Sequence, residues 1–251
     1  EPSTGSAEAT KSSGNDISTV GDVIWHNRST NNPTGSFDGI RIVYGSTSAI
    51  AWTYLNDPAP SINYTWGGTS DNWSDPAKWI PYGVPGANDN VFLNSGTPML
   101  TSNSQIENLT FNGGTLLGDF DLNITGALNW TGGQIGNSGV TGTVLVSGVT
   151  TISGSLGKSI YGKTLSVSGG GTYDGSGLGI SYGGKLNIAA GSTFTANSTA
   201  SISYYSGTAA IDIYGTFARS AAGTITINSG VLFNNYGTVS VTDGNILVQG
   251  G

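Results

Sequence analysis

Leu122-Asn-Ile124, Val144-Leu-Val146, Leu165-Ser-Val167, Leu186-Asn-Ile188, Ile211-Asp-Ile213 and Leu232-Phe-Asn234 are one short phrase written six times. Successive copies begin 22, 21, 21, 25 and 21 residues apart, and a nearly fixed period in the twenties marks a solenoid. Within each phrase the first and third residues are apolar, Asn234 excepted, which is the period-two pattern of a strand with one buried face. Two further strands fit each period. The second carries Leu128, Ile152, Tyr173, Phe194, Phe217 and Val239 as its inward residues, the third Ile135, Ile160, Ile180, Ile202, Ile225 and Ile246. Glycines punctuate the corners at Gly126, Gly148, Gly169, Gly191, Gly215 and Gly237, where a coil that turns every few residues needs conformations glycine adopts most readily. The expected fold is all-β: a right-handed parallel β-helix with three strands per rung and about 22 residues per rung, preceded by an N-terminal β extension or cap.

Composition agrees with a solenoid displayed to solvent on every side. Charged residues make up 9% of the 251, against about 25% in an ordinary globular domain, and 41 glycines with abundant Ser, Thr and Asn take their place. A surface rich in hydroxyls and amides suits hydrogen bonding to glycans, to other surfaces or to a second subunit. A net charge of −7 with only eight Lys and Arg argues against nucleic acid as a partner, because phosphate binding needs clustered cations. The absence of cysteine excludes disulfides and thiol chemistry. No run of 18 apolar residues is present, so no membrane-spanning helix is expected. The chain opens on Glu1 rather than Met, as removal of a signal peptide would leave it, and the expected location is extracellular or at the cell surface.

In chain order, residues 1–20 form a polar tail with almost no apolar side chains. Residues 21–61 hold three strand-like runs, Val23-Ile24-Trp25, Ile40 to Tyr44 and Ala49 to Tyr54, followed by the proline-marked linker Leu55 to Ser61. Residues 62–251 are assigned to the β-helix. That span begins with Tyr64-Thr-Trp66-Gly-Gly, Asn72-Trp73-Ser74, Ala77-Lys-Trp79 spaced as Ala-x-Trp after Pro76, and Val84-Pro85-Gly86-Ala-Asn-Asp89. In this motif and the repeats behind it, residues 64–251 resemble large secreted bacterial β-helix proteins of the autotransporter or surface-adhesin type. Trp66, Trp73 and Trp79 have two readings: a cap whose indoles seal the open end of the coil, or a platform on which sugar rings stack.

Chemistry is sparse. A polysaccharide lyase or hydrolase on this fold needs acids and a base stacked on neighbouring rungs, yet between residues 175 and 251 the only acids are Asp212 and Asp243 and the only cations Lys185 and Arg219. Asp119 and Asp121 share a strand face and are the weak candidates for a calcium site. His26, the single histidine, has no nucleophile or acid beside it in sequence. No cofactor is expected, and the chain reads as non-enzymatic.

Asn245 to Gly251 falls in mid-repeat, so an apolar rung is expected to be covered by further turns or by another molecule. The functional expectation is a structural subunit of a cell-surface filament or array, assembled head to tail through Val23, Ile24 and Trp25 at one end and Ile246, Leu247 and Val248 at the other. An adhesin or glycan-binding β-helix is the alternative, and a polysaccharide-active enzyme stands behind both.

Overall fold

The structure, a computed structural model, describes residues 60–250 together with three earlier strands, Asp22–Trp25 (β1), Ile40–Tyr44 (β2) and Ile50–Tyr54 (β3). Two compact units divide the chain, Glu1–Pro60 and Ser61–Gly251. In the first, β1 to β3 form an antiparallel sheet with β2 in the centre, Val23 opposite Ile42 and Ile42 opposite Trp52. The polar tail, His26 and the side chains of Val23, Ile24 and Trp25 lie outside the described residues.

The second unit is a parallel β-solenoid of about seven turns and about 22 residues per turn, with three columns of strands. The first column stacks Ser104–Ile106, Leu122–Ile124, Thr143–Val146, Thr164–Val167, Gly184–Ile188, Ala209–Ile213 and Leu232–Asn235. The second begins earlier, at Asn63–Trp66 and Asn90–Leu93, and climbs through Asn108–Phe111, Leu128–Trp130, Thr150–Ile152, Gly171–Tyr173 and Thr193–Ala196. The third runs through Thr115–Leu116, Gly133–Gly136, Lys158–Tyr161, Leu178–Ser181 and Ile202–Ser203. Two long strands, Thr216–Ile227 and Thr238–Val248, then serve columns two and three together, with irregularities in their register around Ser220 that carry the chain past the corner. Alternation within each strand sends apolar residues inward, so Leu122, Val144, Leu165, Leu186 and Ile211 are all fully buried in one file.

Register departs from the expected columns in three places. The residue above Ile211 is Phe233, not Leu232, which lies one residue off and is half exposed. In the second column Leu128 stands under Thr150, then Gly171, Phe194 and Phe217, while Ile152 and Tyr173 belong to the neighbouring file with Phe111, Trp130 and Ala196. Bulk hops between the two inward positions from turn to turn: Gly171 is level with Phe194, and Tyr173 with Ala196. Close packing conserves the volume of the layer rather than the size of any one position, so the largest apolar residues do not trace a file. In the third column Ile202 pairs with Leu178 and Ile227, two residues from the expected Ile180, whereas Ile135–Ile160–Ile180 and Ile225–Ile246 stack as expected.

The corner glycines are required for closeness more than for conformation. A Cβ on Gly148 would land on the carbonyl of Gly126, one on Gly169 on the carbonyls of Ser147 and Gly148, and one on Gly237 on that of Gly215. Of the six only Gly191 has positive φ, +82°, and it has open space around it. Side-chain amides add ladders along the outside: Asn108 Nδ2 donates to Asn90 Oδ1 and Asn90 Nδ2 to Asn63 Oδ1, each at 2.8 Å, turn upon turn.

Candidate functional site

At the low-numbered end of the solenoid the tryptophan motif folds into one buried cluster. Trp66, Trp73 and Trp79 are 4%, 2% and 2% exposed, so no indole face is open to a sugar ring. Trp79 lies edge-on to Trp66 and Trp73 with centroids 4.9 and 4.8 Å away, and its Nε1–H donates to the Trp73 carbonyl at 2.7 Å. Each part of the motif has a local task. Strand Trp79–Ile80 pairs antiparallel with Asn63–Trp66, covering the edge of the second column. Gly68 leaves room for the Trp66 ring, 2.8 Å from where its Cβ would stand. Asp75 accepts from the Ala77 N–H at 2.9 Å and starts the one-turn 3₁₀ helix Pro76–Lys78. Asp89 accepts from the backbone of Gly86 and Ile62, both at 2.8 Å, tying the Val-Pro-Gly turn to the first strand. Asp71 and Lys78 close the outside with a 2.7 Å ion pair, which holds Asp71 below and Lys78 above their ordinary pKa values through their mutual hydrogen bond.

The candidate calcium ligands are employed differently. Asp119 accepts from the Thr141 N–H at 2.8 Å and Asp121 from the Thr143 N–H at 2.7 Å, so each carboxylate fastens the next turn to its own. Positive charge reaches this loop from Lys163, which is fully buried and donates to the carbonyls of Phe120 (2.7 Å) and Thr141 (2.8 Å). Burial lowers the Lys163 pKa, opposed by the charges of Asp121 and Asp119. Among the described residues no three acids or histidines converge on a common point.

Two more internal cations have the same function of satisfying carbonyls. Lys158, 3% exposed, donates to Leu156 (2.7 Å) and Ser153 (2.8 Å) with Gly154 and Thr131 further off, and burial lowers its pKa. Arg219, fully buried, reaches the carbonyls of Ala196 (2.9 Å), Ser198 (3.0 Å) and Ala222 (2.8 Å). Tight corners leave carbonyls that no strand pairs, and a long cationic side chain satisfies several at once.

The last described strand is more exposed than the turn beneath it. Val239, Val241 and Val248 stand directly above Phe217, Arg219 and Ile227, which are fully buried, yet they are 37%, 47% and 38% exposed. Ile246, above Ile225, is half-buried and packs on the core, while Leu247 pairs with Thr226 on the outward face and is 47% exposed. Of the residues proposed from sequence for this surface, Ile246 and Val248 therefore cover the core and Leu247 does not. Val239, read from sequence as an inward residue of the second strand, and Val241 belong to the same surface, and neither is among the residues proposed for it. Among the described residues, strand Thr238–Val248 pairs with Thr216–Ile227 and with no other strand. Comparison with protein-family models, with curated proteins and with solved structures finds no match to this chain.

Proposed function

We propose that this chain is a non-catalytic structural protein of the cell exterior, related in kind to autotransporter or adhesin β-helices, whose copies associate through the open final turn into a filament or array. One observation carries the reading: Val239, Val241 and Val248, which stand above positions fully buried in the preceding turn, are 37–47% exposed, and among the described residues their strand pairs with no second neighbour. Apolar surface beside unpaired N–H and C=O groups is a template for one more parallel strand, which either further turns or a neighbouring copy supplies, and in the proposed assembly it is a copy. At the other end the second column finishes in the two-residue antiparallel strand Trp79–Ile80 beside the buried Trp79 cluster, so the proposed added strand is taken from the N-terminal unit, with Asp22–Trp25 as the candidate. Heterologous contacts of this kind propagate instead of closing.

Six of the carboxylates are spent on the fold itself. Asp71, Asp75, Asp89, Asp119, Asp121 and Asp212 are each engaged by a partner within the chain, Asp212 by Asn234 at 2.8 Å and by Lys185 at 3.7 Å. A general acid or base must instead face substrate.

Sedimentation velocity over a concentration series tests the proposal, comparing the whole chain with Val239→Lys/Val241→Lys. Two cations at half-exposed positions leave the fold intact and block an added turn. Association of the parent that is lost in the variant, at unchanged circular dichroism and melting temperature, supports the reading. A parent that stays monomeric at every concentration contradicts it.

A further inference from the structure

Tyr161, Tyr182 and Tyr205 meet in a row at the corner that follows the third column, one from each of three successive turns. Tyr205 is 76% exposed and the other two are half-exposed. The row ought to be interrupted, because register places Ser181 level with Tyr161, and Tyr205 donates its backbone N–H to Ser181 Oγ at 2.8 Å. Tyr182, one residue further on, fills the gap. Its ring centroid is 5.2 Å from that of Tyr161 at 75° and 6.0 Å from that of Tyr205 at 49°.

Reaching that place forces Tyr182 into the left-handed region, φ +56°, and it is the single non-glycine residue with positive φ among those described. The corresponding position one turn earlier is Gly162, φ +74°. A side chain in that conformation is strained against the following carbonyl, which glycine would avoid. Tyr182 takes no part in the buried core, so core packing does not account for the choice. Strain retained at a surface aromatic is what a binding site displays.

We propose that Tyr161, Tyr182 and Tyr205 form a stacking platform for an uncharged polysaccharide chain lying along the solenoid axis. Ring geometry leaves stacking surface free: an edge-to-face pair covers one ring face of its four, whereas the second exposed tyrosine pair, Tyr214 and Tyr236, stacked at 17° and 5.0 Å, covers two. The neighbouring outward positions of the third column are Gln134, Ser159, Gly179 and Ser203, which offer hydroxyl and amide groups and no charge. Sugar rings have an apolar face for the tyrosines and hydroxyls for those side chains. An acidic glycan or a nucleic acid would find no cation among those four positions.

Isothermal titration of the whole chain with neutral hexasaccharides (cellohexaose, xylohexaose, mannohexaose, maltohexaose), with polygalacturonate as the anionic control, tests this. At least one neutral hexasaccharide binds, polygalacturonate does not, and Tyr205→Ala and Tyr182→Gly each weaken binding by about tenfold or more. Tyr182→Gly at the same time raises the melting temperature, since glycine relieves the backbone. The proposal is overturned if none of the four binds at millimolar concentration, if polygalacturonate binds equally well, if Tyr182→Gly leaves affinity unchanged, or if it lowers the melting temperature. The assembly reading is unaffected by these outcomes, because none of the three tyrosines lies on the final turn.

Discussion

Replacing Trp79 with alanine removes the residue on which the closed end of the solenoid depends. Truncating a buried tryptophan costs about 3–5 kcal/mol. Here Trp79 is 2% exposed, holds two edge-to-face contacts under 5 Å and donates to the Trp73 carbonyl, which places the loss at the upper end, about 4–5 kcal/mol. Trp79→Phe separates the components: the ring stays, but the Trp73 carbonyl loses its donor at a cost of about 1–3 kcal/mol. Trp66→Phe should cost less than Trp79→Phe, because Trp66 Nε1 has no hydrogen-bond partner to lose. Urea unfolding followed by tyrosine and tryptophan fluorescence measures all three. Because each turn of a solenoid is stabilised only by its neighbours, Trp79→Ala should also lower the denaturant slope if the first turns fray before the rest unfolds. A loss below about 1.5 kcal/mol for Trp79→Ala, or equal losses for the two phenylalanine variants, would refute this account of the closed end.

Gly148→Ala, whose methyl would meet the Gly126 carbonyl, should destabilise the solenoid by about 1–3 kcal/mol, whereas Gly157→Ala, in open space with ordinary φ, should be neutral or stabilising by up to about 1 kcal/mol in the same assay. The Lys78 hydrogen bond holds Asp71 below its ordinary pKa of 3.8, so its stabilisation is present above pH 3.8 and is lost as pH falls through the lower folded value. Asp71→Asn should flatten that acid limb of the stability curve by lowering stability slightly at neutral pH, where the contribution is present, and leaving it unchanged below the folded pKa. Pure protein should not depolymerise common polysaccharides, as reducing-end assays would report; turnover abolished by changing a single aspartate would contradict the structural reading.

The period and alternation in the repeats are enough to specify a parallel solenoid, because the inward residues of every strand must be apolar for the turns to stack. Files of individual residues are less legible. Leu232 and Phe233 both satisfy the pattern, and only the register with Ala210 and Ile211 decides which of them faces the core. Glycine at positions 126, 148 and 169 is visible in the sequence, but its reason, the approach of successive turns, is a property of stacking that no single turn contains. Lys158, Lys163 and Arg219 look like surface cations in the chain and prove to be internal, since the carbonyls they satisfy come from corners 2 to 43 residues away. The tyrosine row is hidden for a related reason: Tyr182 is displaced by one residue from Tyr161 in register, and only its backbone conformation brings the ring into line.

Small-angle scattering of the whole chain over a concentration series tests the central claim most directly. The second column stacks nine strands, from Asn63–Trp66 to the strand beginning at Thr238, so the solenoid is about 40 Å tall at a spacing of about 4.8 Å. End-on assembly predicts that the maximum dimension grows by about 40 Å or more with each added copy while the cross-sectional radius stays constant. A concentration-independent monomer, or growth in the cross-section without lengthening, would contradict it.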